Sequence, residues 1–146
     1  MENINAVIAT IASIHNSANK IIIDELKTHD LEGLAPSHGE ILILLYENEE
    51  GVPMNKITSS INKDKSTVTA LVNKLEKMQL LIKFKNEFDS RSTMVKLTPK
   101  GQDTKPIVLE KISRELLDIT YKGFSQEEKE LICSLLGKMK ANFLNN

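Results

Sequence analysis

The fold is decided by residues 54–101, which read MNKITSSINKDKSTVTALVNKLEKMQLLIKFKNEFDSRSTMVKLTPKG. Apolar residues first recur every three or four positions, which predicts two short helices around a tight turn at 62–64, with Asp64 as N-cap. The period then changes to two, with Ile82 and Phe84 alternating with lysines, and a second alternating run follows the polar stretch 86–91. These runs predict a β-hairpin with an exposed tip. Two short helices followed by a hairpin are typical of a winged helix-turn-helix.

The flanking segments predict helices. Apolar residues at helical spacing indicate one long amphipathic helix from about residue 3 to residue 29, roughly 40 Å at ~1.5 Å per residue. One small chain can hardly cover so long a stripe, so a partner chain is the natural cover. Capping-box spacings at Ser37/Glu40 and Ser125/Glu128 predict two further helix starts, and Thr98 with Pro99 predicts a helix that continues to about 119.

We therefore expect a mainly α protein with a small β-hairpin wing, of the α+β class. The predicted organisation is a single chain, 1–146, with a winged helix-turn-helix lobe over 36–100. Segments 1–35 and 101–146 are predicted to form a helical dimerisation lobe.

Composition excludes several classes of protein. Apolar residues make up 40% of the 146 residues and charged residues 27%, which is typical of a soluble chain with an aliphatic core. The one cysteine, Cys133, excludes an internal disulfide framework and a cysteine-based zinc cluster. No stretch approaches the roughly 20 apolar residues of a membrane span, and the first residues lack a signal-peptide pattern. The prediction is a cytoplasmic protein without a membrane partner.

Charge is distributed unevenly along the chain. Residues 54–105 contain eleven basic and five acidic side chains, a net charge of +6, whereas the remainder carries −7. A basic centre on an acidic scaffold indicates a module that binds a polyanion. Chance clustering of surface lysines is the alternative.

The second short helix has an outer face suited to a nucleic acid. With Val68 and Val72 facing inward, the 100° helical step places Ser66, Ala70 and Asn73 outward. Small residues let a helix seat in the major groove, hydroxyls and amides can meet base edges, and the helix N-terminus favours phosphate. A merely solvated face remains the alternative.

The hairpin tip carries an arginine with an acidic neighbour. An exposed Arg91 can enter a minor groove, where the potential is strongly negative, and Asp89 can hold its guanidinium. The alternative is a routine turn with a surface ion pair worth well under ~1 kcal/mol.

Four motifs in this stretch resemble the multiple-antibiotic-resistance-regulator (MarR) family of transcription regulators. They are Lys65-Ser66-Thr67-Val68-Thr69, Leu71-Val72-Asn73-Lys74-Leu75-Glu76, Asp89-Ser90-Arg91-Ser92 and Leu97-Thr98-Pro99-Lys100-Gly101. The resemblance implies a two-fold dimer held by the terminal helices, bound to a pseudo-palindromic operator of double-stranded DNA. It implies that the second short helix reads the major groove and that the wing contacts the minor groove.

Three positions depart from that family. Ala70 stands where the family often has arginine, Gln79 where it usually has glycine, and Lys83 where arginine is common. Gln79 either ends its helix differently or bears strain at positive φ. These departures concern the operator sequence and affinity rather than the fold.

The predicted function is a sequence-specific DNA-binding transcription regulator, a repressor in the first instance, without catalysis, cofactor or metal. A winged-helix module that binds proteins instead is the alternative. His15 and His38 are candidate contacts for a small aromatic or phenolic effector, with helix-surface or capping roles as the alternative, and Cys133 is expected to pack in the core. The predicted DNA-binding residues are Lys63, Lys65, Ser66, Thr67, Thr69, Ala70, Asn73, Lys74, Lys85, Asp89 and Arg91.

Overall fold

The computed structural model describes residues 3–146. A short 3₁₀ turn, Ile4–Ala6, leads into the first helix. The α-helices are α1 (Val7–Thr28), α2 (Pro36–Tyr46), α3 (Met54–Ile61), α4 (Lys65–Lys77), α5 (Pro99–Gln102), α6 (Ser113–Thr120) and α7 (Gln126–Leu144). The strands are β1 (Val52–Pro53), β2 (Leu81–Lys85) and β3 (Thr93–Leu97). The predicted class, mainly helical with a small antiparallel wing, is confirmed.

The wing is a three-stranded antiparallel sheet of order β1-β3-β2. Its first strand was not predicted, because two residues are too short to show a period. The buried residue of β2 is Leu81, one position before the Ile82–Phe84 alternation noted in the sequence. Leu81 pairs with Leu97 and both are buried, whereas Ile82 is 42% exposed. Adjacent side chains of a strand point to opposite faces, so Leu81 and Ile82 differ in burial although both are apolar.

The chain divides into two compact units, one ending at Arg114 and the other beginning at Glu115. In the first unit, residues of α2, α4 and the wing form one core with the end of α1 and with Val108 and Ile112. In the second unit, several apolar side chains of α7 are exposed, among them Leu131 and Leu135. The division into a winged lobe and a dimerisation lobe stays a prediction.

Helix starts were predicted well, with one exception. Asp64 caps α4 by accepting the Thr67 N–H at 2.8 Å, and Ser125 with Glu128 forms the expected capping box. The Ser37/Glu40 box was wrong, because α2 begins at Pro36, two residues before the start that Ser37 as N-cap would set. Its first turn is capped by the His38 imidazole, whose Nδ1 accepts the Ala35 N–H at 2.9 Å.

The long N-terminal helix requires a correction. Residues Ile4–Thr28 are long and apolar enough to cross a membrane by length and composition alone, contrary to the prediction that no stretch approaches this limit. Core helices pass the same test, and the C-terminal end of α1 is built into protein: Leu26 is 2% exposed and Ile22 packs against the same core. This end of the helix therefore has a protein environment.

The helix predicted from Thr98 to about 119 is divided. The Thr98 cap is confirmed, but α5 ends at Gln102, and Pro106–Ile112 form a π-helix before α6 begins. The Ser113 hydroxyl donates to the Val108 carbonyl at 2.8 Å, five residues earlier. Apolar spacing cannot distinguish a π-helix from an α-helix over so short a segment.

The segment after the wing is attached to the end of α4. Gln79 adopts φ +64°, the left-handed conformation that its departure from glycine suggested. Its carbonyl accepts the Thr98 hydroxyl at 2.6 Å, and the Leu80 carbonyl accepts the Thr98 N–H at 3.1 Å. These bonds fix the wing relative to α4.

Candidate nucleic-acid interface

A groove of about 900 Å³ separates the wing from α3 and the first half of α4. Four of the predicted site residues line it: Lys65 and Thr69 from α4, and Asp89 and Arg91 from the wing. Lys83 lines it as well. The fold thus brings the two regions that the sequence singled out to one concave surface.

The N-terminus of α4 is organised around the Asp64 carboxylate. Besides the Thr67 N–H, it accepts the Ser66 hydroxyl at 2.7 Å and the Thr67 hydroxyl at 3.0 Å. These hydrogen bonds, led by the one from the Thr67 N–H, lower the pKa of Asp64 from 3.8 to about 2. The Ser66 and Thr67 hydroxyls therefore donate their hydrogens to Asp64, and their oxygen lone pairs remain available to accept a hydrogen bond from a ligand.

This cap predicts a pH dependence. A carboxylate whose pKa is depressed on folding stabilises the fold above its unfolded pKa, and the stabilisation is lost as pH falls through the folded value. We expect Asp64→Asn, which keeps an acceptor but does not titrate, to melt below the wild type at pH 5. The difference in melting temperature should narrow from about pH 4 to pH 2. Thermal melts by circular dichroism test this, and a difference independent of pH would contradict the role of the charge.

The middle of α4 is joined to the wing. The Lys83 ammonium donates to Asn73 Oδ1 and lies 3.5 Å from Glu76 Oε1. The amide oxygen of Asn73 is therefore engaged, and its NH₂ group stays available. Thr69 donates its hydroxyl to the Lys65 carbonyl at 2.9 Å, and the Ala70 methyl is exposed.

The four lysines among the predicted DNA-binding residues have different surroundings. Lys63 and Lys65 are exposed beside the start of α4. Lys85 lies at the base of the wing tip, 3.4 Å from Thr93 Oγ1. Lys74 instead donates to the Gly33 carbonyl at 2.5 Å, so its cation attaches α4 to the loop before α2. A phosphate would have to compete with that bond.

The wing tip is shaped by hydrogen bonds to two side chains, the amide of Asn86 and the carboxylate of Asp89. Asn86 Oδ1 accepts the backbone N–H of Phe88 at 2.8 Å, and Asp89 Oδ1 accepts that of Arg91 at 3.0 Å. The same Asp89 oxygen accepts Arg91 Nε at 3.2 Å, which is the bond expected from the sequence. The Arg91 side chain is nevertheless 91% exposed, so its guanidinium is positioned and accessible.

The contributions of α3 and of the start of β3 to this groove were not predicted from the sequence. Asn55, Thr58 and Ser59 of α3 and Ser92 and Thr93 beside the wing tip also line the groove. The signal was present in α3, because Met54, Ile57 and Ile61 mark an inner face and leave polar residues on the other side.

The two candidate effector contacts each have a structural partner nearby. His38 is buried as the α2 cap, and burial, followed by the charge of Lys74, lowers its pKa. His15 is exposed and shares a hydrogen bond of 3.0 Å with Asn19 one turn later. The capping alternative therefore describes His38, and the effector role of the pair stays a prediction.

Cys133 was predicted to pack in the core, and this was wrong for the single chain. Its thiol is exposed and lies 3.2 Å from the Tyr121 hydroxyl. The apolar stretch that suggested burial belongs to α7, whose stripe the single chain leaves uncovered. Within residues 3–146, no three His, Cys, Asp or Glu side chains are grouped to hold a metal.

Comparison with known proteins gives a consistent assignment. The profile of the family "Transcriptional regulator SarA/Rot" matches residues 33–106, about half of the chain. The HTH-type transcriptional regulator SarZ of Staphylococcus haemolyticus is 32% identical over 121 residues, covering 81% of this chain and 76% of that protein.

Solved structures agree with this assignment. A MarR-family regulator from Listeria monocytogenes, complexed with a 26-mer DNA, has a TM-score of 0.80 at 25% identity, covering 99% of this chain and 91% of that one. Staphylococcus aureus MepR, also solved with DNA, has a TM-score of 0.81 at 21% identity, covering 97% and 99%. The chain therefore belongs to the SarA/Rot family of transcriptional regulators and has the winged helix-turn-helix fold of MarR-type proteins.

Proposed function

We propose that the protein binds duplex DNA as a homodimer, with α4 in the major groove and the wing in the adjacent minor groove. One observation carries the proposal. The start of α4 and the Asp89–Arg91 tip line a single groove.

The geometry fits the shape of DNA. Neighbouring major and minor grooves are separated by one sugar–phosphate strand, so a protein that enters both must straddle that strand. The groove between helix and wing offers the space, and its hydroxyls on α3 together with Lys65 and Arg91 offer donors and positive charge to phosphate oxygens. Base edges would then meet Ser66, Thr69, Ala70 and Asn73.

Dimer formation is supported by exposed apolar surface. In the first unit, Ile8 and Ile14 of α1 are 55% and 61% exposed. In the second unit, α7 exposes Leu131, Leu135 and Phe143. Contiguous apolar stripes of this kind mark interaction surfaces, and a second copy of the chain covers them in a two-fold assembly. Such a dimer presents two α4 helices to half-sites about one helical turn apart.

Relatives support the same role. The Listeria and MepR structures were solved with DNA, and the SarZ relatives are named as transcriptional regulators. A dimer that occupies an operator represses by excluding polymerase, and this role requires a cytoplasmic location. That the chain catalyses no reaction and that an aromatic effector binds it stay predictions, although the family and fold are those of regulators.

The proposal is tested by selecting bound sites from genomic DNA and titrating the recovered duplex by fluorescence polarisation at two salt concentrations. We expect a pseudo-palindromic site and an affinity that falls steeply with salt, with a slope of about −0.9 per phosphate neutralised. A protein that recovers no duplex in dilute salt but captures a protein partner would favour the interaction-module alternative.

The dimer has its own test. Leu135→Glu places a charge within the exposed apolar stripe of α7, so we expect sedimentation velocity to show a monomer that retains its helical circular dichroism. Ala141→Glu introduces the same charge on the opposite face of that helix and should leave the dimer intact. A dimeric Leu135→Glu protein would remove α7 from the proposed interface.

A further inference from the structure

Phe88 occupies an unusual place in the described chain. At 93% exposure it is the most exposed of the large apolar side chains in the range 3–146, and it stands at the tip of the wing. The chain contains only four phenylalanines and two tyrosines. Single exposed apolar residues are common on protein surfaces, so it is the position of this ring at the wing tip beside Arg91, and not its exposure alone, that directs the inference.

The backbone presents this ring in a defined place. Asn86 Oδ1 accepts the N–H groups of Phe88 and Asp89 at 2.8 and 3.3 Å, while the Asn86 N–H donates to the Ser92 carbonyl at 3.0 Å. Phe88 therefore sits between two side-chain-bonded turns, three residues before Arg91. The ring has few rotatable bonds, so little conformational entropy is lost when it is fixed in a contact.

The charges around the ring indicate the kind of contact. Lys85 and Arg91 are balanced by Glu87 and Asp89, so the tip as a whole carries no net charge. Attraction to phosphate alone cannot hold such a tip on DNA, and the two acidic residues oppose it. An apolar group that meets the bases would supply what the charges do not.

We propose that Phe88 is an apolar wedge that enters the minor groove beside Arg91 and partly unstacks a base step there. The inference rests on the DNA-binding function proposed above. Minor-groove proteins commonly insert Phe, Leu, Ile or Met between base steps, and pyrimidine–purine steps open most easily. Phe88 thereby makes the operator flank a determinant of affinity through its deformability rather than through hydrogen bonds.

The test uses the full-length protein and the duplex recovered by selection, with 2-aminopurine placed at successive steps of the flank. Wild-type binding should raise 2-aminopurine fluorescence at one step in each half-site. Phe88→Ala should abolish this rise and weaken binding roughly ten- to hundred-fold, from the burial of one aromatic side chain. The salt slope should not change, because no phosphate contact is lost.

Two further variants make the result specific. Ile82→Ala also shortens an exposed apolar side chain of the hairpin, but at its far end, and should bind and unstack DNA like the wild type. Phe88→Leu keeps a wedge and should retain part of the fluorescence rise.

The outcomes separate the two proposals. A Phe88→Ala protein that binds as tightly as the wild type, or that loses affinity while the fluorescence rise persists, overturns the wedge and leaves the DNA-binding function standing. A wild-type protein that binds no duplex overturns the proposed function and the wedge together.

Discussion

Replacing Gly101 with alanine is expected to destabilise the first unit, which contains the wing, by about 3 kcal/mol or more. This is a large share of the stability of a small domain. A Cβ at this position would lie 1.9 Å from the Leu80 carbonyl oxygen and 3.0 Å from a Leu97 methyl. The carbonyl belongs to backbone that already accepts the Thr98 N–H, so it cannot move away without releasing the link between α4 and the wing. Chemical denaturation followed by circular dichroism measures the loss.

Gly39→Ala is the matched control. Gly39 lies inside α2, and an added Cβ meets no atom within 4 Å. Alanine is the better helix former by roughly 0.8–1.0 kcal/mol, so this variant should be as stable as the wild type or more so. If Gly101→Ala and Gly39→Ala unfold at the same denaturant concentration, the close packing at Gly101 does not determine stability.

Arg91→Ala is expected to weaken DNA binding by about 1–3 kcal/mol for each wing, with both wings of a dimer affected. The loss should occur without a change in fold, because the Arg91 side chain is 91% exposed and its ion pair with Asp89 contributes little to stability. Polarisation titrations at several salt concentrations should also give a shallower slope, since a cation has been removed. Sedimentation should show an unchanged dimer.

Arg114→Ala serves as the control for this variant. Arg114 is the only other arginine in the chain and is exposed at the end of the first unit, outside the groove. Its removal changes the net charge equally but takes away no residue that lines the groove, so it should leave affinity nearly unchanged. Equal affinities for Arg91→Ala and Arg114→Ala would exclude the wing arginine from the interface.

Much of the fold could be predicted because hydrophobic period and caps agreed along the chain. The change from helical to alternating period at Ile82 located the wing, and Asp64 located the start of α4. The facing of β2 could not be predicted with the same certainty, because Leu81 and Ile82 are both apolar and either can lead the alternation. The paired strand decided it, and pairing is a tertiary property.

The candidate site was predicted less completely, for a related reason. Residue type and spacing placed Arg91 and Thr69 on exposed faces, and both line the groove. They could not show that Lys74 reaches Gly33 or that Lys83 reaches Asn73, since a lysine has a long flexible stem whose partner depends on the packing of other elements. The role of α3 could not be predicted, because its polar residues carry no motif that distinguishes a groove wall from an ordinary solvated face.

The cap of α2 by His38 is a further feature that residue spacing did not predict. Ser37 and Glu40 have the spacing of a capping box, yet the helix begins where Pro36 fixes φ, and the imidazole three residues after Ala35 takes the free N–H. A cap is chosen by competition among nearby acceptors, which a spacing rule does not evaluate.

The bond from Lys74 to the Gly33 carbonyl also has a mechanical meaning. It ties the middle of α4 to the short connection that leaves α1, at a residue whose φ of +90° already favours glycine. Any displacement of that connection must either break this hydrogen bond or move α4 with it. A movement of the connection between α1 and α2 is thus transmitted through Lys74 to α4, the helix proposed to lie in the major groove.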